Sequence, residues 1–315
     1  MNSLSRISTD RILIPPPLRP GDKVRFVSPA SPPDRDRVLK FAEILKGWGL
    51  IIDFGEHAFC KRDYLAGTDE ERLADLNAAF RDPDVRAAFA TTGGKGSYRI
   101  ADQLDFEAVR RDPKFVIGFS DITALLLSVL KNGQLASIHG AFFSGVNDDG
   151  VSAYTRELLY RAMMTAEDIV IASRPEEPTS ALTTSGECKG RLIGGNLDMV
   201  ATCAGWALPD LHGAILLLEA VGMYRGQVDR QMTMLCKAGH LSGLAGVAIG
   251  QFTDFEFDRR FSVIDILREH LAELDVPVLG GLPLGHGDSP ASVFIGADAE
   301  LEAKAGVLRI RRNGA

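Results

Sequence analysis

The chain has 315 residues, 45% apolar and 24% charged, with a net charge of −7 and a pI near 5.5. That length suits two ordinary domains, and the acidic balance argues against nucleic acid as a partner, because phosphate binding needs basic surface. No apolar run reaches the roughly 18 residues of a membrane span, so no membrane partner is expected.

Residues 1–18 carry Pro15, Pro16 and Pro17 and no apolar h-region, so they do not read as a signal peptide. Cys60, Cys188, Cys203 and Cys236 form neither a Cys-x-x-Cys pair nor a zinc spacing. They read as free thiols of a cytoplasmic protein, and neither metal nor organic cofactor is expected.

A strand pattern over 24–28 leads into a helix over 36–48, with Val38, Phe41, Ala42, Leu45 and Trp48 at helical spacing. A second strand follows over 50–54. Thr68-Asp69-Glu70-Glu71 is a capping box that opens a helix through Phe80, with Leu73, Leu76 and Phe80 on one face. Residues 85–91 are of buried-strand type, and a short helix over 106–110 stops before Pro113. A strand over 115–118, a helix over 121–131 and a strand over 135–139 complete the series. This alternation predicts a Rossmann-like α/β domain over 1–150, with a mainly parallel sheet and functional residues at the carboxyl ends of its strands.

After Gly150 the pattern changes. A helix over 154–164 precedes a Ser/Thr/Pro-rich stretch over 173–186, so 151–188 is expected to connect two domains. Residues 189–315 carry strand runs over 214–218, 244–249, 299–303 and 307–310, and helix patterns over 196–204, 227–237 and 262–274. A smaller, mixed α/β second domain is expected there.

Ser120 sits where the apolar run ending at Gly118 meets the helix carrying Leu125, Leu126, Val129 and Leu130. A hydroxyl at such a junction stands above the sheet edge, near the first helix amides, which suits an acyl-transfer nucleophile. A serine there otherwise serves as a helix N-cap, and Ile122 replaces the second glycine of Gly-x-Ser-x-Gly. The run Thr91-Thr92-Gly93-Gly94-Lys95-Gly96-Ser97 fits neither a Walker A loop nor Gly-x-Gly-x-x-Gly. Its glycines allow backbone amides to approach a ligand, as an oxyanion hole requires; the plain alternative is a tight turn. His286, between Gly285 and Gly287, is a candidate base, and His139, at a strand end, is its rival. Glu219 ends the run Ile215–Leu218 and can orient a histidine or simply close a strand.

Taken together these pieces carry a resemblance. Leu18-Arg19-Pro20-Gly21-Asp22, Tyr64 to Asp69, Arg72 to Phe80, the Gly93 to Ser97 loop with Arg99, Ile117-Gly118-Phe119-Ser120-Asp121-Ile122-Thr123, His139-Gly140, Leu192-Ile193-Gly194-Gly195-Asn196-Leu197, Glu219, Asp229-Arg230 and Gly285-His286 occur in that order. In them the chain resembles the serine carboxypeptidases of the LD-carboxypeptidase family, which also contains the microcin C immunity hydrolases. The resemblance implies Ser120 as nucleophile from the first domain, with His286 as base and Glu219 as its orienting acid from the second. It implies an oxyanion hole from the amides of Asp121 and Gly94. Its implied substrate is a cell-wall tetrapeptide, cleaved to release a terminal D-amino acid during wall recycling. Arg99, Arg225 and Arg230 are candidates for binding the substrate's terminal carboxylate. The chain departs from the family pattern at Lys95, at Ala220 and at Ala204-Gly205-Trp206, which bears on substrate preference rather than on the triad. The alternatives are an immunity-type hydrolase of aminoacyl-nucleotide amides and a non-catalytic muropeptide binder. A homodimer is the expected assembly.

Overall fold

The computed structural model describes residues 12–140, 151–255 and 261–312. Residues 1–11, the domain boundary expected at 150, and the last three residues lie outside them. In the first part the order is β1 (Lys23–Val27), α1 (Arg35–Gly47), β2 (Ile51–Phe54), α2 (Asp69–Arg81), β3 (Val85–Ala90), α3 (Phe106–Arg111), β4 (Phe115–Gly118), α4 (Thr123–Gly133) and β5 (Ser137–Gly140). The sequence α5 (Ala153–Met164), β6 (Ile169–Ala172), β7 (Glu187–Asn196), α6 (Leu197–Thr202), β8 (Ile215–Val221), α7 (Arg225–Lys237), β9 (Gly246–Thr253), α8 (Val263–Ala272), β10 (Val278–Leu279), β11 (Ser292–Ile295), β12 (Asp298–Glu302) and β13 (Val307–Ile310) follows.

Two sheets result. The first has the order β11-β5-β4-β3-β1-β2. β1 to β5 pair in parallel, as the alternation predicts. The added strand β11 comes from the far end of the chain and runs antiparallel to β5, setting Val293 opposite His139. The second sheet has the order β10-β9-β8-β7-β12-β13-β6. Its first four strands are parallel and its last three pair antiparallel. The stretch 151–188 is thus part of the architecture, since β6 forms an edge of the second sheet.

Local chemistry explains the helix starts. The capping box forms at α2, where Glu71 N–H donates to Thr68 Oγ1 at 3.1 Å and Thr68 N–H donates to Glu71 Oε2 at 2.8 Å. Asp34 caps α1 through Arg37 N–H at 3.1 Å. α4 is different, because every residue from Thr123 to Leu130 is buried. A helix that is apolar all round must be covered on all sides. α4 meets this by packing against β4 and β5 of the first sheet and against β7 and α6 of the second half. It therefore fixes how the two sheets meet, directly behind Ser120. A core of Phe26, Phe41, Phe54 and Phe89, with ring centroids 5.1–6.4 Å apart, fills one side of the first sheet.

Candidate active site

The loops at the carboxyl ends of β1, β3 and β4 converge. Ser28, after β1, and Thr91, after β3, bring their hydroxyls to 2.6 Å. This is where the strand order reverses, and crevices open at such points in parallel sheets. Ser31 braces the glycine loop: its N–H donates to Gly93 O at 3.2 Å, and its hydroxyl accepts from Lys95 N–H at 3.1 Å. Arg72, fully buried, donates to Gly96 O at 2.9 Å and also to Pro29 O. Nothing in the sequence singled out Ser31; the only signal is its place in a Ser/Pro-rich loop at a strand's carboxyl end.

Ser120 has φ +60°, the left-handed region. A non-glycine residue there costs roughly 1–2 kcal/mol and turns the chain sharply from β4 towards α4. The glycine loop lies directly on it. A Cβ at Gly93 would sit 2.9 Å from Ser120 Cβ and 3.2 Å from Ser120 Oγ, so only glycine permits this approach. Asp121 ties the two loops together. Its Oδ2 accepts from Ser97 N–H at 2.8 Å, and its carbonyl accepts from Ser97 Oγ at 2.5 Å. Burial pushes the Asp121 carboxyl above the usual carboxylate range, against the opposing effect of the Ser97 bonds. Asp121, the residue after Ser120, is thus tied to the glycine loop, whose Gly93 lies against Ser120 and whose Gly94 lies against Ser31.

Glu219 lies in β8 where the pairing with β9 shifts register between Leu218 and Ala220. It is fully buried, and its Oε2 is 2.7 Å from His286 Nδ1. Gly285 makes this possible, because a Cβ there would meet Glu219 Oε2 at 2.7 Å. Gly287 N–H donates to Gln251 Oε1 at 2.9 Å and anchors the other side of the histidine. Burial alone would depress the His286 imidazole, but the charge and hydrogen bond of Glu219 outweigh it and hold His286 above its ordinary value. Burial likewise works against the Glu219 anion, and His286, His139 and Asn196 together keep its carboxyl below the usual range. With Nδ1 donating to the carboxylate, His286 Nε2 is left with its lone pair.

Contacts cross between the two halves beside these groups. The His286 ring packs on Phe119, the residue before Ser120, with centroids 4.9 Å apart. Asn196 N–H donates to Thr123 Oγ1 at 3.1 Å. His139, the rival base, is buried completely and pairs in register with Gly118. Its Nε2 lies 3.9 Å from Glu219 Oε1, and it has no path to solvent. The arginines are less uniform. Arg99 is held by Asp69 through bonds of 2.7–2.9 Å, while Arg225, at the start of α7, donates to Phe261 O. Arg230 is exposed on the same helix. All four cysteines are unpaired, and burial pushes the Cys203 thiol up to about 12. Among the described residues no cluster of three or more His, Cys, Asp or Glu could hold a metal ion, and no helix is long and apolar enough to cross a membrane.

Residues 24–140 match the LD-carboxypeptidase N-terminal domain and residues 189–301 the LD-carboxypeptidase C-terminal domain. The chain belongs to the LD-carboxypeptidase family. It is a peptidase of that family. The murein tetrapeptide carboxypeptidase of Pseudomonas aeruginosa is 32% identical over 89% of this chain and 93% of its own. The crystal structure of a muramoyltetrapeptide carboxypeptidase from Oxalobacter formigenes matches with a TM-score of 0.79 at 26% identity, covering 91% of this chain and 97% of that one. The microcin C7 self-immunity protein MccF of Escherichia coli is 25% identical over 92% of this chain and 93% of its own. A structure of MccF with aspartyl sulfamoyl adenosine shares the fold, with a TM-score of 0.84 at 23% identity over 95% and 98% of the two chains.

Proposed function

We propose that the protein is a serine-dependent LD-carboxypeptidase that releases the terminal D-amino acid from a cell-wall tetrapeptide. One observation carries the reading: a buried Glu219 holds His286 at 2.7 Å, and that imidazole lies on Phe119, next to a serine held in a strained turn. A nucleophile, a base and an orienting acid are the set that acyl transfer needs.

In this mechanism His286 Nε2 takes the Ser120 proton as Oγ attacks the carbonyl of the scissile amide. The oxyanion is met by the amides of Asp121 and Gly94, each contributing about 3 kcal/mol to lowering the barrier. His286 then gives the proton to the departing amine, and the D-amino acid leaves. Water, deprotonated by His286, cleaves the acyl-enzyme and returns Ser120. Glu219 holds the imidazole in its Nδ1–H tautomer and balances the imidazolium that forms.

The base must be neutral, which fixes a pH dependence. His286 is raised above its ordinary value of 6.5 by Glu219, so kcat/KM should climb with pH through an apparent pKa above 6.5. Glu219→Gln removes the charge and leaves the burial. Its acidic limb should move to lower pH while kcat falls. A limb unmoved in Glu219→Gln would show that another group titrates.

A substrate of this kind ends in a carboxylate next to the scissile bond, and burying it requires a cation. Arg225 and Arg230 are the proposed contacts; Arg99 is already occupied by Asp69. Amidating the terminal carboxylate, or replacing terminal D-Ala by L-Ala, should each lower kcat/KM sharply. Equal cleavage of all three peptides would remove the LD-carboxypeptidase reading. The similarity to the microcin C7 self-immunity protein supports a second reading, hydrolysis of an aminoacyl-nucleotide amide by the same residues. It would show as turnover of an aminoacyl sulfamoyl nucleoside and none of the tetrapeptide.

A further inference from the structure

Three buried polar atoms at the meeting of the two halves, both ring nitrogens of His139 and Oε1 of Glu219, lack hydrogen-bond partners among the described residues. Both side chains are fully buried, and Nε2 faces Oε1 across 3.9 Å. Leaving a buried donor and a buried charged acceptor unpaired this close is costly, and closing the gap by about an ångström satisfies both. Hydrogen bonds in catalytic sites commonly tighten this way when substrate binds. The seat for the ring is built from both halves. β5 carries His139, and Gly195 of β7 leaves room for it, since a Cβ there would lie 3.2 Å from His139 Cδ2.

We propose that His139 is a positioning residue for the reaction, its Nε2–H donating to Glu219 Oε1 so that Oε2 stays aimed at His286 Nδ1. The inference rests on the roles proposed above for Glu219 and His286. It gives the first sheet, which carries Ser120, a grip on the acid that belongs to the second. His139 must be neutral for this, and burial drives its imidazole below the ordinary value. The titratable groups facing the pair are His286 on its loop, Asp254 after β9, which also raises His286, and Glu219 itself. Asn196, in register with Glu219, is a further polar neighbour and also helps to hold its charge. A donor on Oε1 draws charge away from Oε2. Removing it leaves more negative charge on the oxygen facing His286 and raises that imidazole further.

The test compares His139→Gln, which keeps a donor near the Nε2 position, with His139→Leu, which keeps only bulk. Against the tetrapeptide, His139→Leu should lower kcat roughly tenfold with little change in KM. It should also move the acidic limb of kcat/KM upward by at least about half a pH unit, and His139→Gln should restore the limb. A limb identical in wild type and His139→Leu, or a His139→Gln no better than His139→Leu, overturns the proposal. Nitrogen-15 imidazole spectra of the wild-type protein provide an arm that needs no variant. They should show His139 neutral and protonated on Nε2 from pH 6 to 8; a proton on Nδ1, or a charged ring, overturns it too. Ser120→Ala run in parallel separates the two failures. If that variant is active the serine mechanism itself is wrong, and if it is inactive while His139→Leu keeps the wild-type limb only the role of His139 is.

Discussion

Ser120→Ala should lower kcat on a cell-wall tetrapeptide by at least ~10³-fold and leave the protein folded. The substitution removes one oxygen from a half-buried side chain and keeps the Cβ, so the strain at φ +60° is the same in both proteins. The contact between Ser120 Cβ and the Gly93 backbone is kept as well. Binding of substrate survives, because the loops that shape the cleft are held by Ser31, Arg72 and Asp121 and not by the hydroxyl. The loss should therefore fall on kcat and leave KM nearly unchanged, the pattern of an interaction made only in the transition state. Steady-state kinetics with circular dichroism on the same samples checks both halves of the statement.

His286→Ala should be nearly as damaging to kcat, and it should cost stability where Ser120→Ala does not. Its removal leaves Glu219, fully buried, without the partner at 2.7 Å. Breaking a buried pair by deleting one member typically costs about 3–5 kcal/mol. Glu219 then escapes the penalty only by taking up a proton, so its folded-state pKa rises above the unfolded value. A carboxyl raised in this way is most favourable below the unfolded pKa, and that advantage is lost as pH rises. The variant's own stability should accordingly fall from pH 5 to pH 8, measured as denaturant midpoints. His139→Ala should retain far more turnover than His286→Ala. The reverse order in two folded proteins would make His139 the base.

The alternation of strands and helices, the α2 capping box and the position of Ser120 were legible because each is set by residues within a few positions of one another. The pairing of Glu219 with His286 spans 67 residues, and spacing alone could not choose between His286 and His139. Only the resemblance to the LD-carboxypeptidase family distinguished them. In the structure His286 lies 2.7 Å from Glu219, and His139 is fully buried 3.9 Å from it. What decides this is burial, which needs β11 laid against β5 from more than 150 residues away, and the short segment Ser292–Ile295 carries no mark of that partner. Arg99 makes the same point on a smaller scale. It stands beside the glycine loop in sequence and reads as a free cation, but Asp69, 30 residues earlier, holds it. Charge pairing between distant segments is invisible to pattern, whereas the strained serine follows from a strand and a helix that must join with no spare residues.

The most direct measurement is mass spectrometry of a cell-wall tetrapeptide after incubation with the wild-type protein and with Ser120→Ala. The wild type should remove the terminal D-Ala and leave the tripeptide, and Ser120→Ala should leave the tetrapeptide intact. An intact tetrapeptide with the folded wild type, or tripeptide formed at an undiminished rate by Ser120→Ala, would contradict this reading.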